Sequence, residues 1–187
     1  MNKKRVLFLL MSVLVIALQA PAQEGGRSKT QTDKAEYKGR SAQQPHIGLT
    51  AGVVNSNATD KTMPEYGLDL GFQPVVPFGV GLEASSSQQP SENGIETNRT
   101  SVLAKASYNF GGDTPIFRHS YVGVAAGTIL RDSGSGFAAG PLVGFDIPLS
   151  NRQDSSPLSL GAAAKYLFTD NNEPETLSAN GVLKYWF

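Results

Sequence analysis

From residue 46 onward, apolar side chains fall on every second position, in segments of about ten residues separated by polar breaks. A period of two is the signature of strands, because successive side chains point to opposite faces. Ile47, Leu49, Ala51 and Val53 form the first row, and Tyr66, Leu68, Leu70 and Phe72 the second. Phe78, Val80, Leu82 and Ala84 form the third; Val102, Ala104, Ala106, Tyr108 and Phe110 the fourth. Val122, Val124, Ala126, Thr128 and Leu130 form the fifth; Phe137, Ala139, Pro141, Val143, Phe145 and Ile147 the sixth. Leu158, Leu160, Ala162, Ala164, Tyr166 and Phe168 form the seventh, and Ala179, Gly181, Leu183, Tyr185 and Phe187 the last. The pattern predicts eight strands.

The breaks alternate in kind. Asn55 to Pro64, Gln88 to Thr97, Asp132 to Gly136 and Thr169 to Thr176 are polar loops. Pro74 to Pro77, Gly111 to Ile116 and Pro148 to Ser156 carry prolines or glycines and read as turns, although the third is as long as the loops. An up-and-down antiparallel barrel has one class of connection at each end. The predicted fold class is therefore all-β: an eight-stranded antiparallel up-and-down transmembrane β-barrel over residues 46–187.

The other face of each strand is small or polar. Gly48, Thr50 and Gly52 lie there on strand one, Gly67, Asp69 and Gly71 on strand two, and Gly79, Gly81, Glu83 and Ser85 on strand three. Later strands add Lys105, Asp146, Lys165 and Lys184. Eight strands enclose only enough room for side chains. Three acids (Asp69, Glu83, Asp146) and three bases (Lys105, Lys165, Lys184) thus face the interior, and away from bulk water they are expected to pair. Counting from the turns puts Asp69, Glu83 and Lys105 at similar heights, which predicts one linked cluster. A soluble barrel turned the other way round carries the same alternation.

Aromatic placement bears on that choice. Fourteen aromatics follow residue 45. Ten flank the turn side: Phe72, Phe78, Tyr108, Phe110, Phe117, Tyr121, Phe145, Tyr185, Trp186 and Phe187. Tyr66, Phe137, Tyr166 and Phe168 sit at the loop side. Two girdles at strand ends are what a barrel spanning a membrane requires, because aromatic rings favour the interfacial level.

The N-terminus changes the picture further. Lys3, Lys4 and Arg5 precede an apolar run from Val6 to Leu18, and Ala20-Pro21-Ala22 offers small residues for cleavage. Residues 1–22 read as a signal peptide, too short in its apolar part to span a bilayer comfortably. Residues 23–45 are polar with one aromatic, Tyr37, and are expected to form a disordered periplasmic tail. The chain has no cysteine, hence neither a lipid-attachment site nor a disulfide framework. Its 16 basic and 16 acidic residues balance; cleavage after Ala22 removes three bases and leaves a net charge of −3 (13 basic, 16 acidic). Nucleic acid is not an expected partner for such a balance.

The sharpest local signal is the C-terminus, Gly181-Val182-Leu183-Lys184-Tyr185-Trp186-Phe187. It ends on an aromatic, with Gly181, Leu183 and Tyr185 on the same face as Phe187. This resembles the C-terminal signature of bacterial outer-membrane β-barrels. With the strand pattern from about residue 46, the chain is similar to the small-barrel family that includes OmpX and the OmpA membrane domain. The resemblance implies outer-membrane lipid as surroundings, the barrel assembly machinery as a partner of the C-terminal strand, and a monomer. Trp186 departs from the family, which more often has a polar residue there, and the loops are shorter than in adhesive members.

No catalytic arrangement stands out. His46 follows Pro45 at the start of strand one, and His119 adjoins Ser120 near a turn. Neighbours on a strand diverge, so His119 and Ser120 do not read as a hydrolase pair. No G-x-S-x-G, H-E-x-x-H or phosphate-cradling glycine motif is present. Asp170, Asn172, Glu173 and Glu175 cluster in the last loop, but Pro174 interrupts them and the spacing is not that of a calcium loop. No cofactor or metal is expected. Three functions remain: a structural or surface-exposed barrel acting through its loops, a narrow pore for ions or small solutes, and a soluble periplasmic barrel binding an apolar ligand.

Overall fold

A computed structural model of the chain describes residues 45–57, 61–75, 77–90, 96–111, 115–132, 134–149, 157–170 and 174–187. The expected signal peptide, and the expected tail apart from Pro45, lie outside these residues. Eight strands follow in order: β1 (Pro45–Ser56), β2 (Thr62–Val75), β3 (Phe78–Pro90), β4 (Glu96–Asn109), β5 (Ser120–Arg131), β6 (Gly134–Pro148), β7 (Leu158–Thr169) and β8 (Thr176–Trp186). Each pairs antiparallel with its neighbours in sequence, and β1 closes on β8, so the sheet is a complete barrel. Closure leaves no unpaired sheet edge around the wall.

The strands run further into the loops than apolar alternation suggests. β3 and β4 stay in register out to Pro90 opposite Glu96, where polar side chains hide the strand signal. At the β5–β6 connection, Arg131 pairs directly with Gly134. Gly134 takes φ 140°, a conformation open to glycine, and this shortens a loop expected to reach Gly136. Between β4 and β5 a single helical turn, α1 (Pro115–Arg118), was not legible as a helix; Pro115 starts it, where proline's missing N–H costs nothing.

The distribution of side chains is that of a globular protein reversed. Among the described residues, twenty-six large hydrophobic side chains are exposed, whereas sixteen buried residues are polar or charged and eight are hydrophobic. All eight predicted rows face outward: Leu49 and Tyr66, for example, are 61% and 63% exposed. Such a wall is stable against hydrocarbon, not against water. The aromatics follow the predicted belts with two exceptions: Tyr121 and Trp186 point into the lumen, because each lies one residue off the outward row of its strand.

Candidate functional site

The lumen has two halves. Against β4 to β7 lies an apolar plug of Leu103, Ala125, Ile129, Ala138, Leu142 and Leu167, with Tyr121 packed on it. These residues share the inward parity that the sequence suggested was small or polar throughout. The other half holds the charges.

All six predicted interior charges belong to one chain of contacts. Asp69 and Glu83 are directly opposed in the β2–β3 register, an arrangement of like charges that by itself destabilises a sheet. Lys105, reaching from β4, lies between them: its Nζ is 2.6 Å from Asp69 Oδ1 and 3.2 Å from Glu83 Oε2. Glu83 also accepts a hydrogen bond from Lys165 of β7, whose Nζ is 3.4 Å from Glu65 Oε1. Lys184 of β8 is 2.7 Å from Asp146 Oδ2 and 3.6 Å from Asp69 Oδ2. The order Asp146–Lys184–Asp69–Lys105–Glu83–Lys165–Glu65 alternates in sign along its whole length. It visits β6, β8, β2, β4, β3, β7 and β2 again, so three links pass over one intervening strand, one joins neighbours, and the two of Lys165 reach across the lumen.

Glycine makes the room. Gly48 faces both Asp69 and Lys184 across the sheet. A Cβ on Gly48 would stand 3.0 Å from Lys184 Cγ and 3.3 Å from Asp69 Cβ, so the two charged stems lean over the space a side chain would fill.

Several interior residues escaped the sequence reading. Glu65 is 2% exposed and accepts hydrogen bonds from Ser85 (2.9 Å) and Asn180 (2.7 Å). Arg99 donates to Thr176 Oγ1 at 3.0 Å. Arg131 has the same inward parity on β5. Extending the alternation of each strand by one to three residues beyond its apolar row would have found all three. Trp186 donates to Ser159 Oγ at 2.9 Å and stacks on His46 with centroids 4.4 Å apart. The Lys184 ammonium lies 5.1 Å from the Tyr121 ring centroid and 5.9 Å from that of Trp186. Below the charges, at the turn end, is a cavity of about 60 Å³ lined in part by His46, Gln73, Tyr121 and Trp186. Water-sized cavities of this kind hold a few molecules at most.

The remaining candidates are dispersed. Gly181, Leu183, Tyr185 and Phe187 form an outward row on β8, and Tyr185 packs edge-on against Phe187 at 5.2 Å. The His119 carbonyl accepts the Asp146 N–H at 2.9 Å. Of the acidic loop, Glu175 accepts a 2.5 Å hydrogen bond from the Tyr166 hydroxyl and another from Asn57 at 3.2 Å, and the Asp170 carboxylate caps the Phe137 N–H at 2.9 Å. Asn172 and Glu173 lie outside the described residues. Among the described residues no group of three or more metal-ligating side chains comes together.

No family model matches the chain, and no curated protein does. Solved structures match it in fold. Neisserial surface protein A (NspA) gives a TM-score of 0.56 at 12% identity, covering 77% of this chain and 96% of that one. The outer membrane protein OprG from Pseudomonas aeruginosa gives 0.50 at 12% identity, covering 81% and 99%. The chain has the fold of these small eight-stranded outer-membrane barrels.

Proposed function

We propose that the protein is a bacterial outer-membrane barrel whose lumen is a structural plug, and which acts through its surface loops or by its presence in the membrane without catalysis. The reversed distribution of side chains carries this reading: an apolar outer wall around buried charges needs lipid on its outside. In this reading residues 1–22 direct export and are removed, and the turns and C-terminus face the periplasm. The row Gly181, Leu183, Tyr185 and Phe187 addresses the barrel assembly machinery, and the barrel is a monomer, its wall being closed without a partner.

The plug speaks against a pore. Apolar packing fills one half of the lumen and a ladder of paired charges the other, with a cavity of about 60 Å³ between them and the turns. A hollow of about 400 Å³ lies on the outer wall over Ala162, Ala164 and Ala179, not inside, which gives a soluble barrel binding an apolar ligand no lumenal site there. Two measurements test the proposal. Membrane fractionation with heat-modifiable gel migration should place the protein in the outer membrane; recovery in the soluble periplasm refutes that. Planar bilayers containing the purified barrel should stay electrically silent, and steady unitary conductance would establish the pore instead.

A further inference from the structure

The imidazole of His46, at the start of β1, occupies a slot between β2 and β8. On one side is Gly71, where a Cβ would come within 2.7 Å of His46 Cε1. On the other is the indole of Trp186, its plane tilted 45° to the imidazole. The side chain is 11% exposed, yet neither ring nitrogen has a hydrogen-bond partner. Nε2 lies 3.6 Å from Asp69 Oδ2, too far for a hydrogen bond and near enough for an ion pair. A buried polar ring left without partners is destabilising, and such sites call for an explanation.

A proton on the ring changes both contacts. The imidazolium is attracted to the Asp69 carboxylate and to the face of the indole. The groups around it can accommodate the change. Lys184 shares Asp69 Oδ2 with His46 at 3.6 Å but is held more closely by Asp146, at 2.7 Å. Asp146 Oδ1 has no partner, so Asp146 can take the whole of Lys184. Lys105 holds the other Asp69 oxygen, Oδ1, and Tyr121 lies under Lys184. Burial first, and then two lysines, thus oppose a cation at His46, and two aspartates favour it.

We propose that His46 is a proton-operated clasp on the seam where β1 closes the barrel. Protonated, it ties β1 to Asp69 of β2 and to Trp186 of β8 at once; neutral, it holds neither by a polar contact. The proton enters and leaves through the turn-end cavity, which His46, Asp69 and Trp186 all line. This goes beyond the proposed structural role, and bilayer or fractionation results leave it standing or falling on its own test.

Trp186 is the sole tryptophan of the chain, so its emission reports this site alone. The full-length protein refolded in detergent should lose emission in one step as pH falls from about 7 to 4, because burial disfavours the imidazolium. The step should vanish in His46→Gln, and in His46→Phe, which keeps a ring in the slot, and should persist in His119→Gln. Urea-induced unfolding of the wild type relative to His46→Phe should slow several-fold on the acid side of that step. A flat wild-type emission overturns the proposal. So does a titration that survives unchanged in both His46 variants, or an unfolding rate whose pH dependence is the same in wild type and His46→Phe.

Discussion

Replacing Lys105 by methionine removes the charge that separates Asp69 from Glu83 while keeping an unbranched stem in the lumen. The wild-type ammonium makes hydrogen bonds of 2.6 and 3.2 Å to the two carboxylates. Hydrogen bonds to charged groups contribute about 1.5–3 kcal/mol each. Removing one partner of a buried ion pair costs about 3–5 kcal/mol. Asp69 keeps Lys184 at 3.6 Å and Glu83 keeps Lys165, so the low end of that range applies, about 3 kcal/mol. With urea slopes of about 1–3 kcal/mol/M, the unfolding midpoint should fall by roughly 1–3 M. The measurement is equilibrium urea unfolding in detergent, followed by Trp186 emission and by gel mobility of the unheated sample. Adding Asp69→Asn to Lys105→Met should restore about 1 kcal/mol, because it removes one of the two facing charges while Lys184 keeps Asp146 at 2.7 Å. A loss below about 0.5 kcal/mol for Lys105→Met would place the cluster in solvent and refute the reasoning.

Other positions give distinct expectations. Gly127→Val would drive its Cβ into the Val102 carbonyl oxygen and should cost about 1–3 kcal/mol in the same urea assay, whereas Gly181→Ala, outward with 3.6 Å to the nearest heavy atom, should stay within about 0.5 kcal/mol of wild type. Deleting Phe187, which is 70% exposed, should deplete heat-modifiable protein from the outer-membrane fraction of cells yet leave detergent refolding nearly unchanged; equal loss in both would make the residue structural. Tyr166→Phe removes the 2.5 Å hydrogen bond to Glu175, whose carbonyl accepts the Asn57 N–H, so hydrogen exchange at Asn57 should quicken by about fivefold or more.

Strand number, order and facing were legible because a barrel wall imposes the same period of two on every segment, and both of its faces have a strong chemical preference. The ends of strands were not. Around Arg99 the outward residues Asn98 and Thr100 are polar, and before Glu65 the apolar row stops at Pro64, so the alternation loses contrast just where inward charges matter. Trp186 was misplaced for another reason: an aromatic near a strand end suits the interfacial belt, and only the parity set by Lys184 turns it inward. The pairing of Lys105 with both Asp69 and Glu83 could be read from height and charge. The links from Lys165 to Glu83 and Glu65 depend on which side chains meet across the lumen, and strand pattern carries no information on that; the link from Lys184 to Asp69 passes over Gly48 and needs only the closure of β1 on β8. The apolar plug was missed because Leu103, Ile129 and Leu167 each stand singly on an inward face, between Ser101 and Lys105, Gly127 and Arg131, and Lys165 and Thr169, and make no continuous row.

The ladder of charges joins β6 to β8, β8 to β2, β2 to β4 and β3 to β7, and only Lys105–Glu83 joins adjacent strands. A half-built sheet therefore contains only separate pieces of it: Asp69–Lys105–Glu83 on β2 to β4, and Asp146–Lys184 on β6 to β8. Until β1 meets β8, Lys165 of β7 lacks both Glu83 and Glu65, and Lys184 lacks Asp69, so these groups must stay in contact with water. The interior of an assembling molecule is thus an open, hydrated trough, and drying of the lumen coincides with the meeting of β1 and β8. The last step of assembly therefore does more than close a wall: it joins two separately wired halves into one circuit through Lys165 and Lys184.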